Sequence, residues 1–224
     1  MNIAALFSGG KDSIFAVYDC IKKGHNVSTL ISIVSKNPES YMFHYPNIRY
    51  TKQQAEAMEI KYVLQETEGE KEKELEDMKN AIHSVKNIEG IVAGGLASKY
   101  QYNRIKLITD SLKLKCLVPY WEIESKKYWN LILQAGFKVM IVGVACEGLG
   151  KEWLGRIIEG ETFQELKKLA EKYQFHLAGE GGEFETFVLD GPIFKKRLEV
   201  IDAEIVWNSD SGYYLFKDVK LVEK

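Results

Sequence analysis

The hydrophobic pattern alternates between two periods along most of the chain. Ile3-Ala4-Ala5-Leu6-Phe7 is continuously apolar, which suits a strand buried on both faces of a parallel sheet. Ile14, Val17, Tyr18 and Ile21 follow at helical spacing. The same reading predicts strands at 2–7, 27–34, 60–65, 88–93, 115–118 and 137–144. Helices are predicted between them at 13–23, 48–58, 70–86, 98–113 and 124–135. In the charge-rich stretch 70–86, Leu75, Met78, Ile82 and Val85 form one apolar stripe, the mark of a solvated amphipathic helix. Strand–helix alternation implies an α/β fold with a parallel sheet and right-handed crossovers. Such sheets bind ligands at the carboxyl ends of their strands.

A later helix is predicted at 162–173, opened by Thr162-Phe163-Gln164-Glu165 as a capping box. Beyond residue 178 the pattern becomes glycine-rich and then alternating. It reads as two or three strands around a Ser209-Asp210-Ser211-Gly212 turn. The C-terminal part is therefore expected to be a smaller α+β unit. A division after Val118-Pro119-Tyr120-Trp121 gives residues 1–120 and 121–224. No Pro/Gly/Ser linker marks it, so the two parts are expected to share an interface.

Composition narrows the classes. The 224 residues allow one large or two small domains, with 46% hydrophobic and 28% charged residues. No apolar run reaches the roughly 18 residues of a membrane helix, and the first strand starts at once, so a cytoplasmic location without membrane attachment is expected. A net charge of −2 argues against a strongly electrostatic nucleic-acid binder. Cys20, Cys116 and Cys146 form no CxxC pair, and His25, His44, His83 and His176 show no metal-ligand spacing.

Four stretches carry candidate chemistry. Ser8-Gly9-Gly10-Lys11-Asp12-Ser13 falls at the first strand-to-helix turn. A helix N-terminus offers unpaired N–H groups and a positive dipole end, and two glycines allow close approach, so the turn is a candidate anion cradle. Lys11 adds charge, and the Ser8 and Ser13 hydroxyls can donate. Asp12 repels a bare phosphate; it suits either a Mg²⁺ shared with phosphates or a helix cap. The spacing is not that of the Walker loop. Gly94-Gly95 follow the fourth strand, and Gln101 and Arg104 then share a helix face with Tyr100 nearby. In Gly179-Glu180-Gly181-Gly182-Glu183-Phe184-Glu185-Thr186, an extended chain puts Glu183 and Glu185 on one face. That cluster could bind a cation, orient ammonia or act as a general base. The stretch 39–47, with Tyr41, Met42, Phe43, His44 and Tyr45, is apolar for a surface loop and is placed to be core or lid.

The first of these stretches resembles the pyrophosphate loop of the N-type ATP pyrophosphatase (PP-loop) superfamily. With "YQYNR" after Gly95, "VPYW" at 118–121, "GEGGEFETFVLDGP" at 179–192 and the "YMFH" loop, nearly the whole chain resembles its diphthine–ammonia ligase (diphthamide synthetase) branch. Pro119-Tyr120-Trp121 departs mildly from the branch's usual Pro-Leu-Trp, and the length resembles compact archaeal-type members. The resemblance implies a Rossmann-like sheet of the adenine nucleotide alpha hydrolase kind. It implies ATP and Mg²⁺ as cofactors, with Asp12 a metal ligand. Diphthine on a translation elongation factor would be adenylated and then amidated by ammonium, releasing AMP and pyrophosphate. Ser8, Gly9, Gly10, Lys11, Asp12 and Ser13 would bind the triphosphate. Ser32 and Ile33 would meet the adenine through backbone groups, and Gly95, Tyr100, Gln101 and Arg104 would complete the nucleotide side. Tyr41, His44, Glu180, Gly182, Glu183, Glu185 and Thr186 would face the substrate, with Lys11, Asp12 and Glu183 catalytic. Tyr41, Tyr45, Trp121 and Trp153 are candidates for the diphthine trimethylammonium. Nucleic acid is not expected as a partner, and self-association is left open. The alternatives are a PP-loop tRNA-modifying enzyme and a non-catalytic ATP-binding sensor.

Overall fold

The computed structural model describes residues 1–36, 47–95 and 98–224. Five strands form a parallel sheet: β1 (Asn2–Leu6), β2 (Asn26–Ser35), β3 (Lys61–Thr67), β4 (Gly90–Val92) and β5 (Lys115–Leu117). Their order is β3-β2-β1-β4-β5. The helices between them are α1 (Lys11–Lys22), α2 (Thr51–Met58), α3 (Lys71–Ser84) and α4 (Lys99–Ser111). The chain winds outward from β1 to β3 and then crosses back to β4 on the other side of β1. That reversal is a topological switch point, where the crevice at the strand ends accepts a ligand.

The two faces of this sheet are covered differently. Ala4, Ile31, Ile33 and Ile91 pack against Met78 and Ile82 of α3 and Ile105 and Ile108 of α4. The opposite face, with Ile3, Ala5, Leu30 and Val92, packs on Ile14, Phe15 and Val17 of α1. Strand alternation alone sorts Ile3 and Ala5 from Ala4. The core continues beyond α1 into the C-terminal part, through Tyr128, Trp129, Val139, Phe184 and Phe187.

That part contains α5 (Ser125–Gln134), β6 (Lys138–Val144), β7 (Ile157–Ile158), α6 (Gly160–Tyr173), β8 (Phe184–Asp190), β9 (Lys196–Asn208) and β10 (Ser211–Glu223). Its sheet runs β7-β6-β10-β9, with β8 also paired to β6. All these pairings are antiparallel. The strand at 137–144 therefore does not continue the parallel alternation. Val139 to Val144 are buried, and a run buried on both faces looks the same in either kind of sheet.

Two local expectations are corrected. The later helix begins at Gly160 and its N-cap Glu159 makes no side-chain cap bond. Glu165, which a capping box at Thr162 requires, is instead bound by Arg156 at 2.6 Å. The hairpin turn is only Ser209–Asp210, because Ser211 already pairs with Asn208 and Gly212 with Trp207. Among the described residues, no helix is long and apolar enough to cross a membrane.

Candidate active site

A cleft of about 250 Å³ opens at the switch point. One end is apolar, lined by Ile31 and Ile33 of β2, Met78 of α3 and Ile105 of α4. The other is polar, where Ser8, Gly10, Lys11, Asp12 and Ser13 meet Glu180, Gly182, Glu185 and Thr186. Gly95 and Gln101 line it as well. The two glycine-rich motifs, 175 residues apart at Lys11 and Thr186, thus form one wall, joined by a bond from the Lys11 N–H to Thr186 Oγ1 at 3.2 Å.

The loop between β1 and α1 is shaped by its glycines and by the second sheet. Gly9 sits at φ +79°, which favours glycine. A Cβ there would lie 2.8 Å from Thr51 Cγ2 and 3.0 Å from the Phe187 ring. The Gly9 carbonyl accepts from the Val188 N–H at 3.0 Å and from Gln54 Nε2 at 3.0 Å. Gln54 Nε2 also donates to the Val188 carbonyl at 2.7 Å. Gly10 caps α1 with its backbone only. Ser13 Oγ bonds the Gly10 carbonyl, the Ser8 N–H and the Ser8 hydroxyl, at 3.1, 3.3 and 3.3 Å. Gly94 allows the β4–α4 turn to touch this helix start, since a Cβ there would overlap the Asp12 carbonyl and the Ser13 N–H.

Lys11 is 4% exposed and pairs with Asp12 Oδ2 at 2.9 Å. Its Nζ stands 5.8 Å from the Trp129 ring centre and 5.7 Å from that of Phe184. Glu185 stands near both charges. Burial pushes its carboxyl up to about 7; Lys11 pulls it down and Asp12 pushes it up again. Such a group holds and releases a proton near neutrality.

Several expected residues lie elsewhere. Glu183 is turned away from the cleft wall, and its two oxygens accept from the His176 N–H at 2.9 Å and the Gly181 N–H at 2.8 Å. It shapes the 179–182 turn. Ser32 is fully buried, does not line the cleft, and spends its hydroxyl on the Phe7 carbonyl at 2.6 Å. Tyr100 is 37% exposed and does not line the cleft. Its ring carries the Arg104 guanidinium at 4.1 Å. Trp153 is buried under Arg156, which stands 4.1 Å from its ring, so its face is closed to a substrate cation. Trp121 pairs with Tyr102 at 4.8 Å. Tyr41, His44 and Tyr45 lie outside the described residues.

Met78, Ile105, Trp129 and Gln54 belong to the site or its support, and no sequence motif marks them. Met78 reads as an ordinary core residue of its stripe. Gln54 did carry a signal: a polar side chain between Thr51, Ala55 and Met58, all on the buried face of α2.

An α/β sheet with a charged strand-to-helix turn at its switch point, walled by carboxylates from the C-terminal part, has the form of a site for an anionic ligand. The chain belongs to the diphthamide synthase family. A family model described as the diphthamide synthase N-terminal domain matches residues 1–116, and one described as its C-terminal domain matches residues 124–222. A relative from Mus musculus named diphthine–ammonia ligase is 31% identical, over 95% of this chain and 88% of its own. The Homo sapiens protein of that name is 30% identical with the same coverages. The Schizosaccharomyces pombe one is 30% identical over all of this chain but 40% of its own length.

Proposed function

We propose that this protein is a diphthine–ammonia ligase. It uses ATP to adenylate the free carboxylate of diphthine on an elongation factor, releases pyrophosphate, and lets ammonia displace AMP to leave the amide. The observation that carries this reading is the meeting of the Ser8–Ser13 turn with Glu180, Glu185 and Thr186 in one cleft, within a chain whose family is diphthamide synthase along nearly its whole length.

The roles follow from position. The apolar end, at Ile31, Ile33, Met78 and Ile105, suits the adenine ring. The start of α1 receives the triphosphate with backbone N–H groups. Lys11 leaves Asp12 Oδ2 for a phosphate oxygen and neutralises charge growing on the departing pyrophosphate. The residues fit a magnesium ion. Asp12 offers a single carboxylate whose Oδ2 already takes a cation, and Mg²⁺ is commonly held by one or two carboxylates with substrate phosphates. Bound there, it would supply further positive charge to the leaving group. Glu185, rather than Glu183, is the base. An attacking nitrogen must lose a proton as the amide forms, and the Glu185 carboxylate accepts it beside the reacting carbonyl. Glu180 and Gly182 line the mouth through which diphthine enters.

Product analysis tests the reading. The protein is incubated with ATP, Mg²⁺ and ammonium, with and without the diphthine-bearing factor. AMP and pyrophosphate that require the factor, together with loss of its free carboxylate, are expected. ADP as product, or no AMP, would overturn it.

A further inference from the structure

The helix α5 contributes a residue that no motif singles out. Tyr128 is fully buried, with its ring against Phe15 at 5.5 Å and 74° and against Tyr120 at 5.3 Å and 57°. Those contacts aim its hydroxyl at the start of α1. Asp12 lies close enough to act on it both as a charge and as a hydrogen-bonding partner. Yet neither the Tyr128 hydroxyl nor Asp12 Oδ1 has a well-aligned partner among the described residues, and both atoms are buried. Orphaned buried polar atoms are costly and uncommon. These two are complementary, because an ionised carboxylate only accepts and a phenol can donate.

The other oxygen of Asp12 is engaged. Oδ2 is held by Lys11 Nζ at 2.9 Å. If Lys11 transfers to a phosphate, Asp12 loses that anchor at the moment its orientation matters. Glu185, which Asp12 acts on as a charge, is an acid and cannot replace that cation. Tyr128 is the hydroxyl placed to take over.

We propose that Tyr128 is a positioning residue: in the nucleotide-loaded protein it donates to Asp12 Oδ1 and holds Oδ2 toward the cleft. The inference rests on the reading of Asp12 as part of the nucleotide site. It gives the C-terminal part of the chain a task in nucleotide handling, distinct from receiving diphthine. Deleting one hydroxyl leaves the Phe15 and Tyr120 ring contacts in place, so Tyr128→Phe is a mild change.

The test is calorimetric titration of the full chain with ATP, with and without Mg²⁺, alongside thermal melting. Tyr128→Phe is expected to melt near the wild type and to bind metal-free ATP equally well. Its affinity for Mg²⁺-ATP is expected to fall about tenfold, the scale of one charge-assisted bond. Unchanged Mg²⁺-ATP affinity would overturn the proposal, as would equal losses with and without the metal, which would mark a packing role only. No diphthine is needed. A wild type that binds Mg²⁺-ATP but never forms diphthamide would overturn the functional reading alone.

Discussion

Two carboxylates two residues apart have been given different tasks by their surroundings. Glu183 is tied to two backbone N–H groups of its own turn, whereas Glu185 is on the cleft wall with its carboxyl raised from 4.5 to about 7 by burial. A base must be ionised, so amidation should rise with pH through about 7 on its acid side. In Glu185→Gln that limb should vanish and amidation fall by about 10²–10⁴-fold, with ATP binding kept. Glu183→Gln keeps one acceptor oxygen and should retain more of the rate. Stability gives a second check. The folded Glu185 holds its proton more tightly than the unfolded chain does, so this residue costs stability as pH rises from 4.5 toward 7. Glu185→Gln should therefore gain in melting temperature over wild type at pH 8 relative to pH 5. A rate limb that survives the substitution would remove Glu185 from the chemistry.

At the scale of elements, the cleft depends on how closely two turns approach. The β4–α4 turn touches the first residues of α1 only because residue 94 has no Cβ. The clash that a methyl would meet is with the Asp12 carbonyl and the Ser13 N–H, and main chain cannot rotate away as a side chain can. Gly94→Ala should cost about 1–3 kcal/mol of stability and weaken ATP binding by displacing the helix start; titration calorimetry against wild type would reveal either. This also shows what was legible beforehand. The parallel strands and the Ser8–Ser13 turn could be read from periodicity and local composition, since both are short-range. That Gly94 serves packing against Asp12 could not, because the partner is 82 residues away. Nor could the closing of the loop by Gln54 and Val188, which joins three elements. Alternation puts Glu183 and Glu185 on one face, yet only Glu185 lines the cleft. Which of them faces the cleft depended on the turn that His176 and Gly181 make with Glu183, and alternation alone does not determine that.

At the scale of the molecule, the pyrophosphate-type loop belongs to both sheets. Its Gly9 carbonyl is bonded by β8 and by α2, its Lys11 N–H by Thr186, and its helix α1 is packed into a core that runs from Ile3 to Phe187. A core shared in this way should unfold as one unit. Calorimetry is expected to give a single transition, and Mg²⁺-ATP at about 100 times its dissociation constant should stabilise the fold by about 2.7 kcal/mol, or roughly 5–10 °C for a chain of this size. Two transitions, with only one moved by nucleotide, would show that the sheets are independent. Phe187 makes the coupling testable from a distance. It is fully buried, meets Phe216 edge-on at 5.1 Å, and lies against Gly9. Phe187→Ala should cost about 3–5 kcal/mol and, in the fraction that remains folded, weaken ATP binding, although the residue stands on the second sheet and does not line the cleft. Were only stability to fall, the second sheet would support the loop no more than any distant part of the core.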